Sequence, residues 1–229
     1  MQTILNKSGY HTPKQAAAAE RMLAEQRDLE VRRLAAQLRR DNGVFPRYAA
    51  AILDDVELPR QSLAPEDFEN YLAARDELRT LLDAPGILVI RGENGPGKTH
   101  LVSALVNAFC DRGRPAFYCR AIDFFAKVKS TFGQSGKTLE DLERRFRAYH
   151  LLAIDEIEVR SDSAWENALL RSLIDARYAN VVATVIVTNK SEEDLNAYFS
   201  PAIRDRIRES GGVVNCDWGS LRGRKGCAA

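Results

Sequence analysis

Eight residues constrain this chain more than any others: Gly92-Glu93-Asn94-Gly95-Pro96-Gly97-Lys98-Thr99. They match GxxxxGK[ST], a phosphate-binding loop, when a strand precedes them and a helix follows. Both neighbours are written in the sequence. Ile87-Leu88-Val89-Ile90 is short and wholly apolar, as expected of a strand buried on both faces. The pattern over residues 98–110 predicts a helix. Glycines let the backbone take positive φ and turn successive N–H groups around a phosphate. The helix N-terminus adds its dipole. Lys98 can then reach the β- and γ-phosphates of a nucleotide, and the Thr99 hydroxyl can ligate Mg²⁺.

Further apolar runs predict strands over residues 116–119, 151–154 and 181–187, with helical patterns between them. Strands alternating with helices give an α/β fold, a doubly wound parallel sheet flanked by helices. Upstream, residues 12–40 read as one long charged helix. Thr12 is its expected N-cap, Pro13 its first helical position and Gln15 the partner in a capping box. Met22, Leu23, Leu29, Val31, Leu34 and Leu38 make a thin apolar stripe, and Asp28 lies four residues before Arg32. Asp41-Asn42-Gly43 supplies the stop. A second helix is expected over residues 65–82. Three regions follow: a helical arm at 1–44, a linker and helix at 45–84, and a core at 85–229.

Composition narrows the function classes. Thirty-three basic residues against 32 acidic ones exclude a uniformly basic nucleic-acid binder. The near balance is a cancellation. Residues 1–40 carry eight basic groups against four acids, and residues 204–229 carry six against three, around an acidic centre. An apolar content of 45% excludes a largely disordered chain. No apolar run reaches the ~18 residues of a membrane span. Residues 1–10 lack the apolar core of a secretory signal. Cys110, Cys119, Cys216 and Cys227 form no CxxC pair and have no histidine at ligand spacing. Reduced thiols in a cytoplasmic protein are the expectation.

Leu151-Leu152-Ala153-Ile154 ends in Asp155-Glu156. Downstream of a phosphate loop, Asp155 would hold the Mg²⁺ shell and Glu156 would polarise the attacking water. Asn189 ends another apolar run. It reads either as a hydrogen-bonding partner of the lytic water or the γ-phosphate, or as a turn into a helix capped by Ser191. Arg204, Arg206 and Arg208 share a short helix after Pro201. They read either as a solvated basic face or as a source of transition-state charge neutralisation from a neighbouring subunit.

These residues resemble the DnaC-type replicative helicase loaders and the related IstB-type transposition helper ATPases of the AAA+ superfamily. The resemblance covers about residues 85–223. It rests on the phosphate loop continuing into His100-Leu101, on residues 125–136, on Asp155-Glu156-Ile157 and on Ile174-Asp175-Ala176-Arg177-Tyr178. It also rests on Asp205-Arg206-Ile207-Arg208 and Trp218-Gly219-Ser220-Leu221-Arg222. The family usually has Ser-Tyr-Arg where this chain has Ser220-Leu221-Arg222. The arm has no clear match to any one member.

The resemblance implies an AAA+ P-loop NTPase that binds ATP and Mg²⁺. It implies nucleotide contacts from Gly92, Asn94, Gly95, Gly97, Lys98, Thr99 and His100, and metal contacts from Thr99 and Asp155. Catalysis falls to Lys98, Glu156 and Asn189, the last at the first sensor position. Arg206 falls at an arginine finger acting in trans, which implies self-association, and Arg222 at a second sensor arginine acting in cis. The helix over 121–131 corresponds to the insertion that makes such assemblies spiral. Phe132, Ser163 and Trp165 fall where loaders meet single-stranded DNA, and Lys127 and Lys129 would attract its phosphates. An aromatic stacks on any base at ~1–3 kcal/mol each, although tryptophan at a helix start also serves packing.

The functional expectation is an ATP-dependent loader that binds a replicative DNA helicase through its arm and delivers it onto single-stranded DNA. Two rivals share most of the motifs. One is a transposition helper that binds duplex DNA and recruits a transposase. The other is a nucleotide-gated adaptor with little turnover. The arm itself suits a partner, but also suits packing on its own domain.

Overall fold

The computed structural model describes residues 13–131, 139–161 and 163–222. The expected cap Thr12 and the expected DNA contact Phe132 lie outside the described residues. Five strands form one parallel sheet: β1 (Ile87–Arg91), β2 (Ala116–Arg120), β3 (Leu151–Asp155), β4 (Ala183–Thr188) and β5 (Gly212–Asn215). Their spatial order is β2-β3-β4-β1-β5. The helices are α1 (Pro13–Arg40), α2 (Glu57–Ser62), α3 (Pro65–Thr80), α4 (Lys98–Asp111), α5 (Ala121–Lys129), α6 (Leu139–Ala148), α7 (Ala164–Ala179), α8 (Glu192–Tyr198) and α9 (Pro201–Ser210).

Three of the four predicted runs became central strands, β1, β3 and β4, because both of their faces are covered, while the run at 116–119 became the edge strand β2. Every residue of β3 and β4 is buried. Successive side chains point to opposite faces. Leu88 and Ile90 join Leu101, Leu105 and Phe109 of α4 in one core layer, with Tyr71 and Leu78 of α3. Ile87 and Val89 join Phe125, Leu173 and Ile174 in the other, below α5, α7 and α9. Truncating one such leucine to alanine costs about 2–5 kcal/mol. The sheet register sets Leu88 beside Val185 and Ile154 beside Ile186. The C-terminal tips of β1, β4 and β3 therefore lie side by side.

The sequence-derived elements sit within a few residues of the observed ones. The last predicted strand starts two residues late, because Val181 turns the chain with φ 52°. β5 was not expected: it has four residues, starts on glycine and buries only Val214. Asp28 and Arg32 pair at 2.8 Å.

α1 splits in character along its length. Near its end, Leu38 packs on the core, and Arg39 pairs with Asp111 of α4. Asn42 then plugs in, donating to Asn107 Oδ1 at 3.0 Å. Met22, Leu23, Leu29, Val31 and Leu34 stay exposed.

Among the described residues, Arg177 is the largest fully buried side chain. Its guanidinium donates to the carbonyls of Phe146 (2.8 Å) and Tyr149 (2.9 Å), the hydroxyl of Thr184 (2.9 Å) and the carbonyl of Ala183. It ties the end of α6 and the start of β4 to α7. Burial pushes it down to about 9, and its donors are satisfied by backbone carbonyls and one hydroxyl rather than by a carboxylate.

Candidate functional site

The site is assembled at the tips of β1, β3 and β4. Parallel register brings these ends together, and crossover loops there can aim side chains at one ligand. The phosphate loop leaves β1 and enters α4 through Gly97, whose φ of 94° is left-handed and excludes most side chains. Gly95 is filled from the opposite side: a Cβ there would meet Ser220 Oγ at 2.3 Å.

Lys98 is 7% exposed. Its Nζ donates to Gly92 O (2.7 Å), Glu93 O (2.6 Å) and Asn189 Oδ1 (2.8 Å). Burial lowers its proton affinity, and the nearby Asp155 opposes that shift. The ammonium is held by oxygens at the mouth of the loop, where a phosphate oxygen would compete for it.

Asp155 is 4% exposed, and both of its oxygens accept hydrogen bonds. Oδ2 accepts from Thr99 Oγ1 (2.9 Å) and from the Tyr118 hydroxyl (2.7 Å). Oδ1 accepts from the Glu156 N–H at 2.8 Å. Burial and the Asp155 charge push the Tyr118 phenol far up, so it stays a donor. Glu156 takes φ 53°, an uncommon and strained backbone for a non-glycine residue.

The tip of β4 is held by Glu158. Its Oε2 accepts from Thr188 Oγ1 (2.8 Å) and its Oε1 from the Asn189 N–H (3.1 Å). Asn189 is thus fixed at both ends, by Glu158 through its backbone and by Lys98 through its side chain. Ser191 caps α8, accepting from Asp194 N at 3.1 Å.

A C-terminal strap crosses the loop. The N–H of Cys216 donates to Arg91 O (2.7 Å), the indole of Trp218 to Pro96 O (2.7 Å), and the N–H of Leu221 to Gly95 O (2.9 Å). Leu221 comes within 3.4 Å of a Cβ built on Gly97. The strap brings Arg222 close enough to Lys98 for its charge to lower the ammonium's proton affinity.

The remaining candidates fall into three groups. Asn94 is exposed on the loop, while His100 turns its ring to Tyr48, 6.0 Å between centroids. Arg206 lies against α7. Its Nη1 is 3.2 Å from Asp175 Oδ1, an ion pair without an aligned hydrogen bond, and its guanidinium covers the Tyr178 ring at 5.4 Å. Lys129, Ser163 and Trp165 come together where α5 ends and α7 begins, with internal work to do. Lys129 pairs with buried Glu166 at 2.8 Å, Ser163 caps α7, and Trp165 meets Phe125 edge-on. Burial opposes ionisation of Glu166, but Lys129 and Ser161 outweigh it and hold the carboxyl below its usual range. Lys127 covers Phe117 at 5.9 Å.

Tyr118 and Glu158 escaped sequence reasoning. Nothing local marks them, since their roles depend on strand adjacency. Trp218 stood in a motif quoted for the resemblance, but its bond to the loop is visible only in the fold.

The donor set fits a nucleotide with Mg²⁺. A hydroxyl and a carboxylate 2.9 Å apart suit a hard cation. No group of three His, Cys, Asp or Glu side chains able to hold a metal exists among the described residues. A magnesium ion here would therefore rest on Thr99, Asp155 and ligand phosphates. No helix among the described residues is long and apolar enough to cross a membrane.

Known proteins agree with this geometry. The replicative helicase loader DnaC of Escherichia coli (strain K12) is 30% identical over 137 residues, covering 59% of this chain and 56% of that protein. The DnaC loader of Buchnera aphidicola subsp. Acyrthosiphon pisum is 26% identical over 168 residues, 68% of each. The chain thus spans only about half to two thirds of these relatives' length. Among solved structures, a DnaC helicase loader superposes with TM-score 0.62 at 20% identity, over 75% of this chain and 99% of that one. AMPPCP-bound DnaA from Aquifex aeolicus superposes with TM-score 0.60 at 19% identity, over 76% of this chain and 51% of that one. These structures share the AAA+ fold of a five-stranded parallel sheet with flanking helices. The family model for IstB-like ATP binding proteins matches residues 15–229, and the chain belongs to that family.

Proposed function

We propose that the chain is a Mg²⁺-dependent ATPase that loads a replicative ring helicase onto single-stranded DNA. One observation carries the ATPase reading: Lys98, Thr99, Asp155 and Asn189 interlock at three adjacent strand tips. Bound ATP with Mg²⁺ supplies an activated γ-phosphoryl group with its charge screened. The loop and Lys98 bind the β- and γ-phosphates. Thr99 and Asp155 hold the metal, with Tyr118 fixing the carboxylate. Glu156 orients the attacking water and takes its proton on the carboxylate. Asn189 gives its Oδ1 to Lys98, which leaves its amide N–H donors for the water or the γ-phosphate. Arg222 acts on the nucleotide of its own subunit, and Arg206 on that of a neighbour.

The loader role is supported by the curated relatives, named as helicase loaders. The exposed stripe Met22, Leu23, Leu29 and Val31, beside basic residues, serves as the helicase-docking surface. Lys127, Lys129, Phe132, Ser163 and Trp165 meet the single strand. The IstB-like family model supports a second reading, a transposition helper on duplex DNA.

The test mixes the full chain with the host's replicative helicase and follows delivery onto protein-coated single strands. The expected result is a complex that forms and delivers in ATP. Absence of a complex sinks the loader claim, and a duplex preference with transposase binding moves the assignment to the helper. Glu156→Gln is expected to bind ATP and lose turnover. ATP binding without hydrolysis, insensitive to Glu156→Gln, would leave a nucleotide-gated adaptor.

A further inference from the structure

A groove of 1050 Å³ runs between α7 and the α8–α9 corner. Four arginines, Arg147, Arg160, Arg171 and Arg204, line it with one carboxylate, Asp175; Arg147 pairs with Glu143 at 2.7 Å and Arg171 with Asp175 at 3.8 Å, while Arg204 makes no ion pair among the described residues. Its floor is apolar and includes Phe199 and Ile203. Arg147 Nε, Arg204 Nε and Ser200 Oγ are buried without a hydrogen-bond partner. Such orphans are uncommon, and each calls for a ligand or water. Guanidinium forks match carboxylates in geometry, and an apolar floor adds a seat for a hydrophobic side chain. The chemistry called for is an acidic polypeptide segment with one apolar anchor.

This chain presents such a segment at residues 52–57. Ile52 is 58% exposed. Asp55 and Glu57 are exposed, and neither has an ion-pair partner among the described residues. The preceding turn is fixed to α4, where Asn107 Nδ2 donates to the carbonyls of Tyr48, Ala49 and Ala51. Tyr48 of that turn meets the ring of His100, the neighbour of Thr99, with 6.0 Å between centroids. The acidic segment therefore stands on the flank of the nucleotide site.

Placing Arg206 in trans turns α9 of one copy toward the nucleotide site of the next. The groove lies beside α9, and the acidic segment lies beside that site. We propose that the groove seats residues 52–57 of a neighbouring copy, with Ile52 on the apolar floor and Asp55 and Glu57 on the groove arginines. The contact is heterologous, head to tail, and so propagates an assembly. It rests on the trans reading of Arg206 and adds the surface that aligns it.

Sedimentation velocity of the full chain with a non-hydrolysable ATP analogue tests it. Arg204→Glu and Asp55→Arg are expected each to raise the concentration for half-assembly about tenfold or more. An equimolar mixture of the two variants restores assembly. Alternating copies then set the charge-reversed groove of one variant against the charge-reversed segment of the other, and pair the unaltered Arg204 groove with the unaltered Asp55 segment. Wild-type assembly that both variants leave unchanged overturns the groove pairing and spares the trans role of Arg206. A mixture that fails to recover overturns it as well. Loss of DNA binding rather than assembly in Arg204→Glu marks the groove as a phosphate track and also overturns it. A wild type that stays monomeric overturns both the pairing and the trans role.

Discussion

Replacing Glu158 by alanine tests whether the tip of β4 is a working part of the site. The carboxylate accepts from the Thr188 hydroxyl and from the Asn189 N–H. Thr188 is 1% exposed, so its hydroxyl would lose a partner that water replaces poorly. Asn189 is exposed, and water would satisfy its N–H. The stability loss should be about 1–3 kcal/mol, nearly all from Thr188. At roughly 2–4 °C per kcal/mol for a chain of this size, a thermal melt resolves it. Turnover should suffer beyond stability, since Asn189 would keep only its bond to Lys98. A donor displaced by about 1 Å costs on the order of 100-fold in rate, so kcat should fall about 10- to 100-fold with little change in KM for ATP. Phosphate release by Glu158→Ala, Asn189→Ala and the double variant supplies the cycle. If Glu158 acts through Asn189, the double variant is no slower than Asn189→Ala alone. Fully additive losses, or normal turnover in folded Glu158→Ala, would refute the reasoning.

Three more outcomes are expected. Tyr118→Phe removes one of two donors from Asp155 Oδ2, and the Mg²⁺ concentration for half-maximal turnover should rise about tenfold or more; an unchanged Mg²⁺ titration would count against a metal role for Asp155. Lys129→Met leaves the Glu166 carboxylate, 2% exposed, without its counter-charge and with Ser161 as its side-chain donor, and should cost about 1–3 kcal/mol in denaturant unfolding. Loss of DNA binding in that variant is therefore ambiguous, and Lys127→Ala, whose lysine makes no ion pair among the described residues, gives the cleaner reading. His100 has its pKa lowered by burial, so the unfolded chain takes up a proton that the folded chain refuses. Stability should fall as pH drops below the unfolded value of about 6.5 and level off below the folded one. His100→Gln should flatten that part of the profile, and an identical pH profile would show that the ring titrates freely when folded.

By itself the sequence determined the phosphate loop, the central strands and the acidic pair, because each is encoded locally. A strand buried on both faces must be continuously apolar, as Leu151-Leu152-Ala153-Ile154 is. A loop that wraps a phosphate must put glycine where φ is positive, as at Gly97. Tertiary structure decided which distant residues complete these pieces. Tyr118 reaches Asp155 only because β2 pairs with β3 in a register that sets Tyr118 beside Ala153. Glu158 meets Thr188 only because β3 and β4 are neighbours. β5 was illegible because an edge strand of four residues buries too little to impose a pattern. The apolar stripe of α1 showed the same limit from the other side. Its spacing predicted a helix, but packing on α4 claimed Leu38 and left Met22 to Leu34 exposed. Local rules fix what an element must be, while the order of strands in the sheet fixes which side chains are brought within hydrogen-bond reach of one another.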